Sequence, residues 1–186
     1  MSRARLRCIC TAAWIVATAA SALRSQSVPE SVAAVEAGEV DAGAAAAAIS
    51  AERAAHGLPA VAVDPRLMRI AALHARRMAA DGRVAHRLPG EVGFEQRLAD
   101  GGFAATTAAE NVGGGPATLS RVLDLWRGSP EHAANLLLSG VSKLGIGVAI
   151  APASPYKVYW SLVLAEDGAE RDGLDVEVLD VTVRRR

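Results

Sequence analysis

Apolar positions recur with a helical period through the first two thirds of the chain and with a strand period after about residue 143. The alanine run from Ala44 to Ala48 continues into Ile49-Ser50-Ala51-Glu52-Arg53-Ala54-Ala55-His56-Gly57, a good helix former that stops at glycine. Asp64-Pro65 marks a second start, with Asp as N-cap and Pro in the first turn. Leu67, Ile70, Ala71, His74 and Met78 then share one face, while Arg66, Arg69, Arg76 and Arg77 occupy the rest and Gly82 ends the helix. Phe94 to Leu98 predicts a short helix closed by Gly101-Gly102, with Phe103 buried beyond it. Pro116 opens a further helix with Leu119, Val122, Leu123 and Trp126 as its apolar stripe. Leu144 to Ile150 and Lys157 to Leu164 predict two strands joined by a proline-containing turn over 151–156. Gly145 and Gly147 fall on one face of the first strand, so another element is expected to approach closely there.

Helices followed by a hairpin predict an α+β domain, placed at residues 44–165. Residues 1–22 have the form of a secretory signal peptide. Arg3, Arg5 and Arg7 precede an apolar run from Cys8 to Ala20, and Ala20-Ser21-Ala22 offers a cleavage site. The run is short for a bilayer span, so cleavage without a transmembrane anchor and a secreted or periplasmic destination are expected. Residues 23–43 are expected to be a linker, helical at most in its last part. The tail 166–186, with seven acids and four arginines, is either an extra edge strand or disordered.

Composition narrows the chemistry. The chain of 186 residues is 51% hydrophobic but only 4% aromatic, so its core rests on small and aliphatic side chains. Loss of the signal segment would remove both cysteines, Cys8 and Cys10, so no disulfide is expected in the mature protein. It would also remove three of the 20 basic residues and none of the 20 acidic ones, a net charge of −3. No basic patch remains, which argues against nucleic acid as a partner. Gly113-Gly114-Gly115 is expected to be flexible and lacks the lysine of a phosphate loop.

The polar signals converge on Trp126-Arg127-Gly128-Ser129-Pro130-Glu131-His132, where a helix breaks and a histidine precedes an apolar run. Upstream stand His86 and Ala109-Glu110-Asn111. His86, Glu110 and His132 are expected to share one cleft as its ligand-binding and candidate catalytic residues. Two imidazoles there suit a divalent metal such as Zn2+, held openly by His86 and His132 unless Glu110 joins them. If Glu110 instead accepts a hydrogen bond from a histidine, it orients that ring. The same residues also suit a structural network tying loops to helix ends. Asn111 and Asn135 are expected to fix loops, and Ser129 to cap the helical turn that holds His132 rather than act as a nucleophile. His74 is expected as a core histidine and His56 as an exposed one.

These residues resemble the CAP superfamily of cysteine-rich secretory, pathogenesis-related and venom-allergen proteins, in its short bacterial form. The resemblance runs from about Ile49 to Leu164. It rests on Asp64-Pro65-Arg66-Leu67, Ala85-His86, Arg97 with Gly102-Phe103, Ala109-Glu110-Asn111-Val112, Ser129-Pro130-Glu131-His132, Asn135-Leu136-Leu137, Gly145-Ile146-Gly147-Val148-Ala149 and Tyr159-Trp160. It implies a three-layer α-β-α sandwich with a small, mostly antiparallel sheet, secretion, and a cleft with two histidines and two glutamates. His86 and Glu110 match the first of each, and His132 corresponds to the second histidine. Ser129 stands where the second glutamate is implied. The resemblance therefore implies an exported, monomeric single domain whose His/Glu cleft binds a small apolar ligand, a divalent metal or a cell-envelope component. A metal-dependent hydrolase with Glu110 as general base, and a non-catalytic interaction module, are the alternatives.

Overall fold

The computed structural model describes residues 35–168. The signal segment 1–22 with Cys8 and Cys10, the first part of the expected linker and the tail from residue 169 lie outside the described residues. The elements are β1 (Glu36–Ala37), α1 (Ala42–Ala55), β2 (Ala62–Val63), α2 (Pro65–Asp81) and α3 (Phe94–Asp100), followed by β3 (Ala105–Gly114), α4 (Leu119–Arg127), α5 (Pro130–Leu136), β4 (Lys143–Ile150) and β5 (Val158–Asp167). Asp64 caps α2 through hydrogen bonds to its side chain from the Arg66 and Leu67 amides, and Gly82 ends it in the left-handed conformation.

The sheet order is β1-β4-β5-β3, antiparallel throughout, and β2 adds a short parallel pairing to β4. Alternation along β4 and β5 sends their side chains to opposite layers. Leu144, Ile146, Val148, Trp160, Leu162 and Leu164 pack with Ile49, Val122, Leu123, Trp126 and Leu136 of α1, α4 and α5. Val163, Ala165 and Tyr159 face the other way, onto the buried stripe of α2 with α3 beside it. The result is an α-β-α sandwich around a small, mostly antiparallel sheet, the architecture implied by the resemblance.

Gly145 and Gly147 set the distance between the middle and outer layers. A Cβ on Gly145 would lie 2.1 Å from the Leu67 carbonyl carbon, and one on Gly147 would lie 2.4 Å from the Ala72 Cα. The α2 backbone therefore rests directly on the β4 backbone, as the Gly-x-Gly spacing predicts.

Three expectations change. The linker reading of 23–43 gives way over its last residues, because Glu36–Ala37 pairs with Ile150 and Ala149 and α1 already starts at Ala42 behind the cap Asp41. A two-residue strand held by backbone pairing leaves no periodic signal. Gly113 and Gly114 are part of β3, where an added Cβ on Gly114 would meet Val84 at 2.6 Å, so these glycines serve close packing. Finally, β5 continues through Glu166 and Asp167, so the sheet extends two residues past the expected domain edge.

Two buried polar side chains hold the layers. Arg53 of α1 is fully buried and donates to the carbonyls of Pro59, Leu136, Leu138 and Val141 at 2.8–3.3 Å. His74 is fully buried in the α2 stripe, and its Nε2 lies 2.9 Å from the Ala85 carbonyl. Burial drives the His74 pKa below the ordinary histidine value, outweighing the attraction of Glu110.

Gly145→Ala is expected to destabilise the fold by about 1–3 kcal/mol, because the clash is with backbone that cannot rotate aside; urea unfolding measures it. A histidine with a depressed pKa in the folded state stabilises above its unfolded pKa and loses that contribution as pH falls. The urea midpoint is therefore expected to fall on acidification below about pH 6.5. The fall should be smaller in His74→Gln, and an equal fall in both proteins would assign the effect elsewhere.

Candidate functional site

The site is built on β3, whose far edge carries no strand among the described residues. Neighbouring residues on a strand point to opposite faces, so Glu110 and Asn111 serve different layers. Glu110 turns toward α2 and α3, and Asn111 toward α5.

On the α2 side, the Glu110 carboxylate is buried and engaged on both oxygens. Arg97 Nη2 donates to Oε1 at 2.7 Å, and His86 Nδ1 lies 3.0 Å from Oε2. A carboxylate only accepts, so Nδ1 carries the proton. Ser161 Oγ stands 3.5 Å from Oε1, and His74 Nε2 is 4.0 Å from Oε2. Burial alone pushes the Glu110 pKa up, but the hydrogen bond from His86 and the charges of Arg97 and, once protonated, His74 outweigh it. The carboxyl therefore stays below its ordinary value and ionised. Arg97 also donates to the His86 carbonyl at 2.7 Å, so one guanidinium fixes both the acid and the loop carrying its histidine.

On the α5 side, Asn111 Nδ2 donates to the His132 carbonyl at 3.1 Å. Asn135 Nδ2 donates to the Glu110 carbonyl at 3.2 Å and to Asn111 Oδ1 at 2.9 Å. The two amides satisfy backbone carbonyls as expected, but they hold helix α5 to strand β3 rather than fixing loops. Ser129 is the N-cap residue of α5 without a side-chain capping bond; its carbonyl accepts from the Ala133 amide. His132 is half-buried, and its Nδ1 is buried without a hydrogen bond. Burial first and the charge of His86 second depress its pKa.

His86 and Glu110 are therefore in contact, and His132 is tied to the same strand through its backbone carbonyl, which accepts from Asn111. More than half of the His86 side chain is exposed, and its Nε2 has no hydrogen bond among the described residues. Sequence periodicity did not reveal Arg97 or Ser161 as partners of Glu110. Arg97 lies on a seven-residue helix, too short for its burial to show as a pattern, although its position belongs to the resemblance. His74 is the core histidine expected, but it also adjoins Glu110. His56 is exposed as expected.

A zinc ion does not fit this donor set. Catalytic zinc takes three protein ligands, and among the described residues no three of His, Cys, Asp and Glu are grouped as a metal would require. Both Glu110 oxygens already accept hydrogen bonds from the protein.

The chain has a solved structural counterpart in an extracellular protein containing an SCP domain from Bacillus anthracis, at TM-score 0.59 and 22% identity over 67% of this chain. That match spans 40% of the Bacillus chain. An outer surface protein from Borrelia burgdorferi matches at TM-score 0.58 and 19% identity, over 71% of this chain and 99% of that one. These likenesses concern the fold. No curated protein matches the sequence. Residues 46–164, holding every residue of the cleft, match the model of the cysteine-rich secretory protein (CAP) family, and the chain belongs to that family.

Proposed function

We propose that this is an exported CAP-domain protein whose cleft binds a small ligand or a cell-envelope component. The observation that carries the reading is the exposed His86 ring, held at Nδ1 by the buried Glu110 and with no hydrogen bond to Nε2 among the described residues. Glu110 acts here as a positioning residue. It fixes the tautomer of His86 and turns Nε2 outward.

The hydrolase alternative needs Glu110 as general base, which requires the carboxylate within reach of a substrate proton. With its side chain 2% exposed and both oxygens occupied, Glu110 is better suited to orienting His86. Export is supported by the signal-like segment at 1–22 and by the extracellular and outer-surface neighbours. Among the described residues no helix is long and apolar enough to cross a membrane. A single-domain monomer with a secreted or periplasmic location completes the proposal.

Native mass spectrometry of the protein isolated from its own source is expected to show a retained small molecule that is lost in His86→Ala. Protein with no adduct at all would favour an interaction module instead. Zinc titration by calorimetry is expected to give no one-site isotherm, and a saturable one that vanishes in His86→Ala would restore the metal reading. Glu110→Ala leaves Arg97 buried without its counter-charge and is expected to cost about 3–5 kcal/mol in urea unfolding.

A further inference from the structure

The outer stripe of α2 carries one sign of charge. Helical spacing turns Arg66, Arg69, Leu73, Arg76 and Arg77 away from the sheet, and α2 holds no acid before Asp81. Two of these arginines find acids on other segments. Arg66 pairs with Asp64 and Asp167, and Arg77 Nη1 stands 3.4 Å from Glu91 Oε1. Arg69 and Arg76 are exposed and make no side-chain hydrogen bond or ion pair among the described residues. Asp100, the acid across the groove from Arg69, already accepts from Gln96 at 2.7 Å. Leu73 on the stripe and Val92 beside it are 48% and 42% exposed. Two cations and an aliphatic strip are thus left uncovered by the described residues on one helix face.

The last described residues lead to this face. Asp167 Oδ2 lies 2.5 Å from Arg66 Nη2 at the start of α2, and the Gly168 amide donates to the Ala104 carbonyl. The segment that follows, 169–183, carries Glu170, Asp172, Asp175, Glu177 and Asp180 against the single base Arg171, a net charge of −4. Leu174, Val176 and Val178 stand among these acids. Fifteen residues reach up to about 50 Å, while the 17 residues of α2 span about 25 Å, so the acids can reach the whole stripe. Tethering beside Arg66 also holds them there at a local concentration on the order of millimolar.

We propose that the arginine stripe of α2 is the docking surface for the chain's own acidic segment 169–183. Carboxylates of that segment meet Arg69 and Arg76, and its aliphatic side chains cover Leu73 and Val92. The contact is made between exposed charges, so it is reversible and weakens as salt rises. While docked, the segment withholds the stripe from anionic partners outside the molecule.

Arginine modification of the full chain by phenylglyoxal, read by mass spectrometry, tests this. Arg121 is the internal reference, exposed on α4 in the opposite layer and without an ion pair among the described residues. The comparison protein carries Glu170→Gln, Asp172→Asn, Asp175→Asn, Glu177→Gln and Asp180→Asn, and circular dichroism checks that it folds. Relative to Arg121, Arg69 and Arg76 are expected to react at least about threefold more slowly in the unchanged chain, as a face covered about two thirds of the time would. Sodium chloride at about 1 M is expected to erase that difference, an arm that needs no substitution. Equal relative rates in the two proteins, or slowing that survives the salt, would overturn the proposal. Slowing that grows with protein concentration would assign the segment to a second copy of the chain and overturn it as well.

Discussion

The buried carboxylate of Glu110 is the constraint around which the α3 side of the molecule is arranged. An ionised group with almost no contact with water must find its solvation in the protein. It finds Arg97 from α3, His86 from the loop that follows α2, and Ser161 from β5. Each of these partners is thereby fixed relative to β3. Arg97 then returns to the His86 carbonyl, which closes a ring of interactions through the loop. The orientation of His86 is thus a by-product of solvating an acid.

Much of this architecture was legible in the residues. The α2 stripe from Leu67 to Met78, the β4–β5 hairpin and the close approach at Gly145 and Gly147 all follow from period and composition. β3 was not legible. Residues Ala108 to Gly113 are buried on both faces, so the alternation that marks a half-exposed strand disappears. Glu110 and Asn111 also place polar groups in the interior, where periodicity leads one to expect apolar ones. The same limit hides Arg53 and Arg97, since a charged residue is read as exposed unless a partner is known. The cleft became visible through order and spacing of its motifs, which place His86, Glu110 and His132 on three different elements.

His74 links two carboxylates, with Nε2 4.0 Å from Glu110 and Nδ1 3.9 Å from Glu91. A change in the charge of His74 is therefore felt by both acids.

Arg53 supplies a different kind of closure. It ties α1 to carbonyls 83–88 residues further along the chain, at and beyond the end of α5, the helix that carries His132. No cysteine occurs between residues 35 and 168, so this span is closed by a guanidinium where small exported domains often use a covalent link. Neither a guanidinium nor a carbonyl changes protonation in the ordinary pH range, and neither responds to thiols. The α5 wall of the cleft is therefore fastened by a clamp indifferent to acid and reductant, while the opposite wall hangs on histidines and a carboxylate. The Arg53 clamp should survive acid and reductant alike, and the domain can reach its folded form without an oxidising catalyst.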